Sequence, residues 1–214
     1  MARPRTPKGR ARRTHERLAD VYPGAECELD HVSPFQLLIA TILSAQATDV
    51  GVNKVTPGLF AQYPDAESLA VANPEDVENL ISSLGLFRNK TKSIVKCANQ
   101  LVEQHGGEVP TSMKDLTALA GVGRKTANVV RSVALDLPGL PVDTHVLRLT
   151  ARLGITTLTD PVKVERELNP MIPAAERGLF SLRIILHGRR VCPARKPRCA
   201  ECVLNDFCPS SEIA

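Results

Sequence analysis

The segment from Leu119 to Ala127 combines glycines and a lysine in a pattern that suits amine chemistry. Gly121 and Gly123 interrupt the chain between two helical patterns, and Lys125 follows in the first turn of the second helix. The N-terminal end of a helix carries partial positive charge and is an unfavourable place for a cation. The same end presents backbone N–H groups that bind oxygen anions such as phosphate. The segment therefore predicts a phosphate-binding turn beside a lysine that can act as a nucleophile.

Four of the six cysteines fall close together near the end of the chain. Cys192, Cys199, Cys202 and Cys208 have the spacing C-x6-C-x2-C-x5-C. In an intracellular protein, clustered thiols are more often metal ligands than disulfides. Four thiolates can hold zinc or an iron–sulfur cluster. Structural zinc usually uses two close pairs of ligands, and only one close pair is present here, so the spacing favours iron–sulfur without excluding zinc.

Composition restricts the classes of protein that this chain can belong to. Its 214 residues suffice for one large or two small domains, and the hydrophobic content of 43% is that of a globular protein. The sequence has no signal peptide and no apolar run of the roughly 20 residues that span a bilayer. We therefore expect a soluble intracellular protein.

Basic residues are concentrated in two stretches. Residues 1–17 hold seven of the 27 lysines and arginines with a single acid, and residues 183–198 hold six with none. Patches of this kind bind polyanions such as nucleic acid. For the N-terminal stretch alone, a solubilising tail remains an equal alternative.

Helix start and stop signals recur along the chain, whereas no segment alternates as a strand does. Capping residues precede apolar stripes of helical spacing, and glycines follow several of those stripes. The pattern predicts an all-α protein of about ten short helices with the clearest break at residues 138–141. The predicted capping residues are Ser33, Asn73, Asn89, Ser112, Asp143 and Asp160, and the last long helix is predicted to stop at Gly188.

These elements together resemble the endonuclease III family of DNA glycosylases in the helix-hairpin-helix superfamily. The matching stretches run from about Arg17 to Cys208: residues 43–49 (LSAQATD), residues 121–128 (GVGRKTAN), residues 142–145 (VDTH) and the four-cysteine loop. The resemblance implies a two-lobed helical fold. One lobe would be a six-helix barrel with the hairpin, about residues 27–137, and the other an iron–sulfur lobe made of residues 1–26 and 138–214.

The resemblance also implies roles for particular residues. Lys125 would attack C1′ of a damaged nucleotide flipped out of the duplex, form a Schiff base and cleave the strand by β-elimination, assisted by Asp143. Other matching positions would contact DNA, and the four cysteines would hold a [4Fe-4S] cluster. The predicted DNA-contacting residues are Gln46, which fills the gap left by the base, Leu86, which wedges into the opposite strand, and Gly121, Gly123, Arg124 and Lys196.

A bifunctional DNA glycosylase and AP lyase that removes oxidised pyrimidines in base excision repair is the implied function. Its partner would be double-stranded DNA containing damaged bases or abasic sites, with no membrane contact. We expect a monomer in the cytoplasm, at the bacterial nucleoid. Two alternatives remain: an adenine-mismatch glycosylase, whose group lacks a lysine at the position of Lys125, and a non-catalytic helix-hairpin-helix DNA-binding protein.

Overall fold

The computed structural model describes residues 3–213, and all regular secondary structure in that range is helical. The prediction of an all-α protein is confirmed. Eleven α-helices and two short 3₁₀ turns, at Ala174–Glu176 and Cys199–Glu201, follow one another along the chain. The helices are α1 (Pro7–Val21), α2 (Pro34–Leu43), α3 (Asp49–Gln62), α4 (Ala66–Ala70), α5 (Pro74–Ile81), α6 (Phe87–His105), α7 (Met113–Ala118), α8 (Arg124–Val133), α9 (Thr144–Arg152), α10 (Pro161–Leu168) and α11 (Arg177–Arg190).

Most of these helices begin at a side chain that caps them, as the sequence predicts. Ser33, Asn73, Ser112, Asp143 and Asp160 each accept a hydrogen bond from a backbone N–H of the first turn that follows. Such a bond satisfies one of the backbone donors that a helix start leaves without a partner, and it stabilises the helix by about 1 kcal/mol.

Two predicted boundaries are wrong, each for a physical reason. Helix α6 begins at Phe87 rather than after Asn89, because Leu86 adopts left-handed backbone angles and its carbonyl already accepts from Lys90 N at 3.0 Å. Helix α11 continues to Arg190 instead of stopping at Gly188. That glycine serves close packing, since a Cβ there would lie 2.8 Å from Nδ1 of His145.

The chain divides into two compact units, each with its own apolar core. One unit is the continuous segment Cys27–Leu137, and the other combines Met1–Glu26 with Pro138–Ala214. The core of the first is built around α2, in which every residue of Phe35–Leu43 except Gln36 is buried. The core of the second joins buried side chains of α1, α9, α10 and α11. Each unit therefore has apolar burial to support the residues on its own surface.

Within residues 3–213, no helix combines the length and the apolar character needed to cross a membrane.

Candidate active site and cysteine loop

The turn between α7 and α8 is held in shape by a glycine and by a side chain from α6. Gly121 has φ +76°, and a Cβ at that position would lie 3.0 Å from Ile42 and 3.1 Å from Ser93. Both the left-handed backbone and the close packing require glycine there. Gln100 accepts from Ala120 N at 2.7 Å and donates to the carbonyl of Ala118 at 3.3 Å. Two hydrogen bonds thus join the arm of the turn that precedes Gly121 to one long helix.

Helix α8 starts without a side-chain cap. Gly123 is its N-cap residue, with φ −85° and no side chain to offer, and Arg124 and Lys125 form the first turn. Lys125 is exposed, and Arg124 is half-buried. A helix start that lacks a side-chain cap directs backbone N–H groups to solvent, where they can bind an anion. This unit therefore has an uncapped helix start with an exposed lysine in its first turn, an arrangement that suits the predicted anion site and amine.

Lys125 lies within electrostatic range of a half-buried thiol. Burial raises the pKa of Cys27, and the negative charge of Asp49 raises it further, whereas the positive charge of Lys125 opposes this. Asp49 is the first residue of α3, and Lys125 lies in the first turn of α8. The Cys27 thiol is therefore affected by one negative and one positive side chain, each at the start of a helix.

Asp143 caps helix α9 in the other unit. Its Oδ1 accepts from Val146 N at 2.9 Å, and its side chain is half-buried. His145, two residues further on, receives a 3.0 Å hydrogen bond at Nδ1 from Nη2 of Arg148 and is packed against Gly188. Burial lowers the pKa of His145. The cap fixes the direction of the Asp143 carboxylate, and the contacts of His145 suit a structural role.

Within residues 3–213, four non-glycine residues have positive φ, and the sequence predicts DNA contact for three of them. Gln46 (φ 54°) lies at the tip of the turn between α2 and α3, Leu86 (φ 61°) is the N-cap residue of α6, and Lys196 (φ 52°) lies in the cysteine loop; Asp136 is the fourth. All three predicted residues are exposed, and Leu86 has 55% of its surface accessible. Left-handed backbone costs a residue with a Cβ about 1–2 kcal/mol and is concentrated at functional sites.

The four clustered cysteines line one small cavity behind α9 and α11 of their unit. All four are free thiols, and the cavity is completed by Arg152, Asn205 and neighbouring loop residues. Arg198 N donates to the carbonyl of Val191 at 2.9 Å, closing the loop that carries Lys196. In residues 3–213, no group of three or more His, Cys, Asp or Glu side chains is arranged to hold a single metal ion.

Burial makes two of these thiols, Cys202 and Cys208, poor acids as long as no metal is bound to them. The pKa of Cys202 is raised to about 11 and that of Cys208 is also raised, in both cases first by burial and then by the neighbouring cysteines. Metal-binding thiols must lose their protons. A bound cation is therefore needed to compensate several negative sulfurs in this confined space.

Arginines from two helices hold the cysteine loop, and local sequence patterns did not single out these contacts. Arg152 of α9 donates to Cys192 Sγ at 3.1 Å and to the carbonyls of Pro193 and Ala194 at 2.8 and 2.9 Å. Arg17 of α1 forms a salt bridge with Asp206 at 2.5 Å. The two residues of each pair lie 40 or more positions apart in the sequence. The only sequence signal for these contacts is therefore a basic residue on a helix face.

Comparison with known proteins places the chain in one family. Residues 39–174 match the family model of the HhH-GPD superfamily base excision DNA repair proteins. The endonuclease III of Synechocystis sp. is 54% identical over 198 residues, which cover 92% of this chain and 90% of that protein. A solved non-covalent endonuclease III–DNA complex is 42% identical with a TM-score of 0.89, covering 95% of this chain and 96% of its own. A trapped endonuclease III–DNA covalent intermediate is 43% identical with the same TM-score and coverage.

Replacing Gln46 by glycine is expected to stabilise the protein. Glycine removes the left-handed penalty of about 1–2 kcal/mol but is more flexible in the unfolded chain, which leaves a gain of about 1 kcal/mol. The measurement is the urea midpoint at unchanged m value. Gln46→Ala is the matched control: it also removes the side chain but keeps the Cβ and its strain, so no such gain is expected. A lower midpoint for Gln46→Gly than for Gln46→Ala would show that the turn is not strained.

Proposed function

The chain belongs to the HhH-GPD superfamily of base excision DNA repair proteins, and we propose that Lys125 is the nucleophile with which it excises oxidised pyrimidines from duplex DNA. The enzyme is a bifunctional DNA glycosylase and AP lyase, as its endonuclease III relatives indicate. One observation carries the proposal: the exposed amine of Lys125 lies in the first turn of a helix whose N-terminus has no side-chain cap. Phosphate bound at that N-terminus would hold the sugar of the same nucleotide within reach of the amine.

The reaction proceeds by covalent catalysis through an amine. The Lys125 nitrogen bonds to C1′ as the bond from C1′ to the base breaks, and the base leaves with that electron pair and takes up a proton. The nitrogen then loses one proton, and the C1′–O4′ bond of the sugar breaks as O4′ takes up a proton, which gives a protonated Schiff base. Removal of a C2′ proton then expels the 3′ phosphate by β-elimination, and water hydrolyses the Schiff base to free the lysine. A relative that forms a trapped covalent intermediate with DNA supports this route.

Asp143 has the complementary role. Positive charge develops on the sugar as the base leaves, and a nearby carboxylate stabilises it. The same carboxylate can accept and return protons around the amine. One of its oxygens already accepts from Val146 N, so the helix cap holds the carboxylate in one orientation without consuming its charge.

The exposed left-handed residues serve to open the duplex. We propose that Gln46 occupies the gap left by the flipped nucleotide and that Leu86 inserts into the opposite strand. Gly121, Gly123 and Arg124 bind phosphate at the start of α8, and Lys196 contributes a further cation from the cysteine loop. Contacts of this kind do not read sequence, so binding is salt-dependent and selectivity comes from the damaged base.

Lys125 also separates this proposal from the adenine-mismatch alternative. That group shares the fold and an aspartate but lacks the lysine, so it releases the base without cutting the strand. A non-catalytic DNA-binding protein has no need for an exposed lysine at the hairpin together with an oriented carboxylate at Asp143.

We propose further that the cysteine loop holds a [4Fe-4S] cluster. Four thiolates around one zinc ion at 2.3 Å would lie about 3.8 Å from one another. The spacing of the four cysteines, with only one close pair, favours an iron–sulfur cluster over zinc. Cys192, Cys199, Cys202 and Cys208 would ligate it, and its cationic irons would compensate the buried sulfurs.

The two units would then have different tasks. The unit that combines Met1–Glu26 with Pro138–Ala214 would be the cluster-bearing domain, and Cys27–Leu137 would be the hairpin domain. We propose that the protein is a cytoplasmic monomer that acts on damaged duplex DNA at the nucleoid.

Borohydride trapping tests Lys125 directly. Wild-type protein acting on a duplex with an oxidised pyrimidine is expected to give a covalent protein–DNA band, because hydride reduces the Schiff base to a stable amine. Lys125→Ala is expected to give none. Lys114→Ala, which removes an exposed lysine of α7 in the same hairpin, is the matched control and should trap like wild type. A band of wild-type intensity with Lys125→Ala would exclude this nucleophile.

Asp143→Asn separates catalysis from helix capping. Asparagine caps a helix as well as aspartate does, so the unfolding midpoint is expected to change little. Single-turnover base release is expected to slow by about 100-fold or more, because the carboxylate charge is lost. Asp143→Ala, which loses both roles, should also be less stable by about 1 kcal/mol. Full turnover by the asparagine variant would limit Asp143 to capping.

Metal analysis tests the cluster. Purified protein is expected to contain about four iron and four acid-labile sulfide per chain, with broad visible absorbance and no stoichiometric zinc. Cys199→Ser should lower the iron content, whereas Cys27→Ser, which changes a half-buried thiol outside the loop, should not. Colourless protein with one zinc per chain would overturn the assignment.

A further inference from the structure

A buried histidine of α11 contacts one of the four clustered sulfurs. His187 is 2% exposed, and its Nε2 lies 3.3 Å from Sγ of Cys202. A sulfur that ligates iron is a hydrogen-bond acceptor, so this nitrogen must carry the proton and donate. The imidazole is therefore directed at the proposed centre, and neither the capping pattern nor the motif spacing singled it out.

A tyrosine of the segment that follows α1 fixes the other side of the ring. The hydroxyl of Tyr22 lies 3.2 Å from Nδ1 of His187. A phenol hydroxyl can donate this hydrogen bond, and both Tyr22 and His187 are buried. A neutral ring that donates at Nε2 can only accept at Nδ1. The phenol thus selects the tautomer that donates to the sulfur.

Tyr22 is itself held by its neighbours. Arg183 Nε donates to the Tyr22 carbonyl at 3.3 Å, and the Arg190 guanidinium lies 5.7 Å from the centre of its ring. The chain Tyr22–His187–Cys202 is therefore a positioned series of two hydrogen bonds, and both donors are enclosed by protein.

Donors are distributed unevenly over the four sulfurs. Cys202 Sγ also accepts from Leu204 N at 3.4 Å, and Cys192 Sγ accepts from Arg152 at 3.1 Å. Cys208 instead donates to the carbonyl of Arg152 at 3.4 Å as a free thiol. Hydrogen bonds to ligating sulfur withdraw electron density from the cluster and raise its reduction potential. The surroundings of Cys202 thus favour added electron density on its side of the centre.

We propose that His187 is a positioning residue for the cluster, which donates a hydrogen bond to the Cys202 ligand in a tautomer selected by Tyr22 and thereby raises the reduction potential. The inference rests on the proposed [4Fe-4S] cluster but not on the catalytic roles of Lys125 and Asp143.

Potentiometric titration of the purified holoprotein, followed by visible absorbance and electron paramagnetic resonance, tests this directly. His187→Leu removes the donor and is expected to shift the midpoint to lower potential. Tyr22→Phe keeps the ring but frees the tautomer, so a smaller shift in the same direction is expected. His187→Gln, whose amide can donate from a similar position, should restore most of the wild-type value. Phe180→Leu is the control, because Phe180 is a fully buried residue of α11, two turns before His187, and its side chain has no polar atom to donate.

A second readout reports the bond itself. Pulsed electron paramagnetic resonance of the paramagnetic cluster in protein labelled with ¹⁵N-histidine should show a nitrogen coupling in wild type that disappears in His187→Leu. If His187→Leu assembles no cluster, the midpoint reduction potential of Tyr22→Phe tests the inference instead. Equal midpoints for wild type and Tyr22→Phe, or no histidine coupling in wild type, would overturn the inference while leaving the cluster in place. A wild-type protein without iron and sulfide would overturn both.

Discussion

The start of helix α8 is the constraint on which the proposed chemistry depends. A helix that begins at a glycine leaves backbone N–H groups without a side-chain partner, and water or an anion must satisfy them. Gln100 and the packing of Gly121 against Ile42 keep this turn rigid without covering that N-terminus. The donors are therefore ordered before DNA arrives, and a phosphate placed there brings its sugar to the exposed Lys125 with little reorganisation.

Backbone strain in residues 27–137 lies at two proposed DNA-contacting positions, Gln46 and Leu86, and at Asp136. A residue with a Cβ in the left-handed region persists only where neighbouring structure compensates for it. For Gln46 and Leu86 the compensation comes from the helix next to each: α2, before Gln46, is buried nearly throughout, and α6, after Leu86, is anchored by buried residues such as Ile94. The core stabilisation is thus used to present two exposed side chains at fixed positions.

Local rules predicted the helices well because capping is a local interaction. Ser33, Ser112 and Asp143 each bond to a backbone group three residues away, and the sequence shows both partners. The same rules misplaced the start of α6, because they selected Asn89 as the cap, whereas Leu86 turns the chain three residues earlier. Spacing likewise identified the cysteines but not their surroundings, because His187 reaches Cys202 only after the fold brings α11 against the loop.

In the cysteine loop, the proposed cluster and the positive charge around it depend on each other. Residues 191–208 contain a single 3₁₀ turn as regular structure, so their shape depends on tethers to helices rather than on a backbone ladder. Arg152 satisfies two carbonyls of the loop, and Arg17 holds Asp206, but both tethers bring positive charge. Four thiolates on a cluster would supply the opposite charge at the centre of the loop. With the loop held in this way, Lys196 can keep a left-handed backbone at its exposed tip, so the cluster's contribution to DNA binding would be exerted through loop shape.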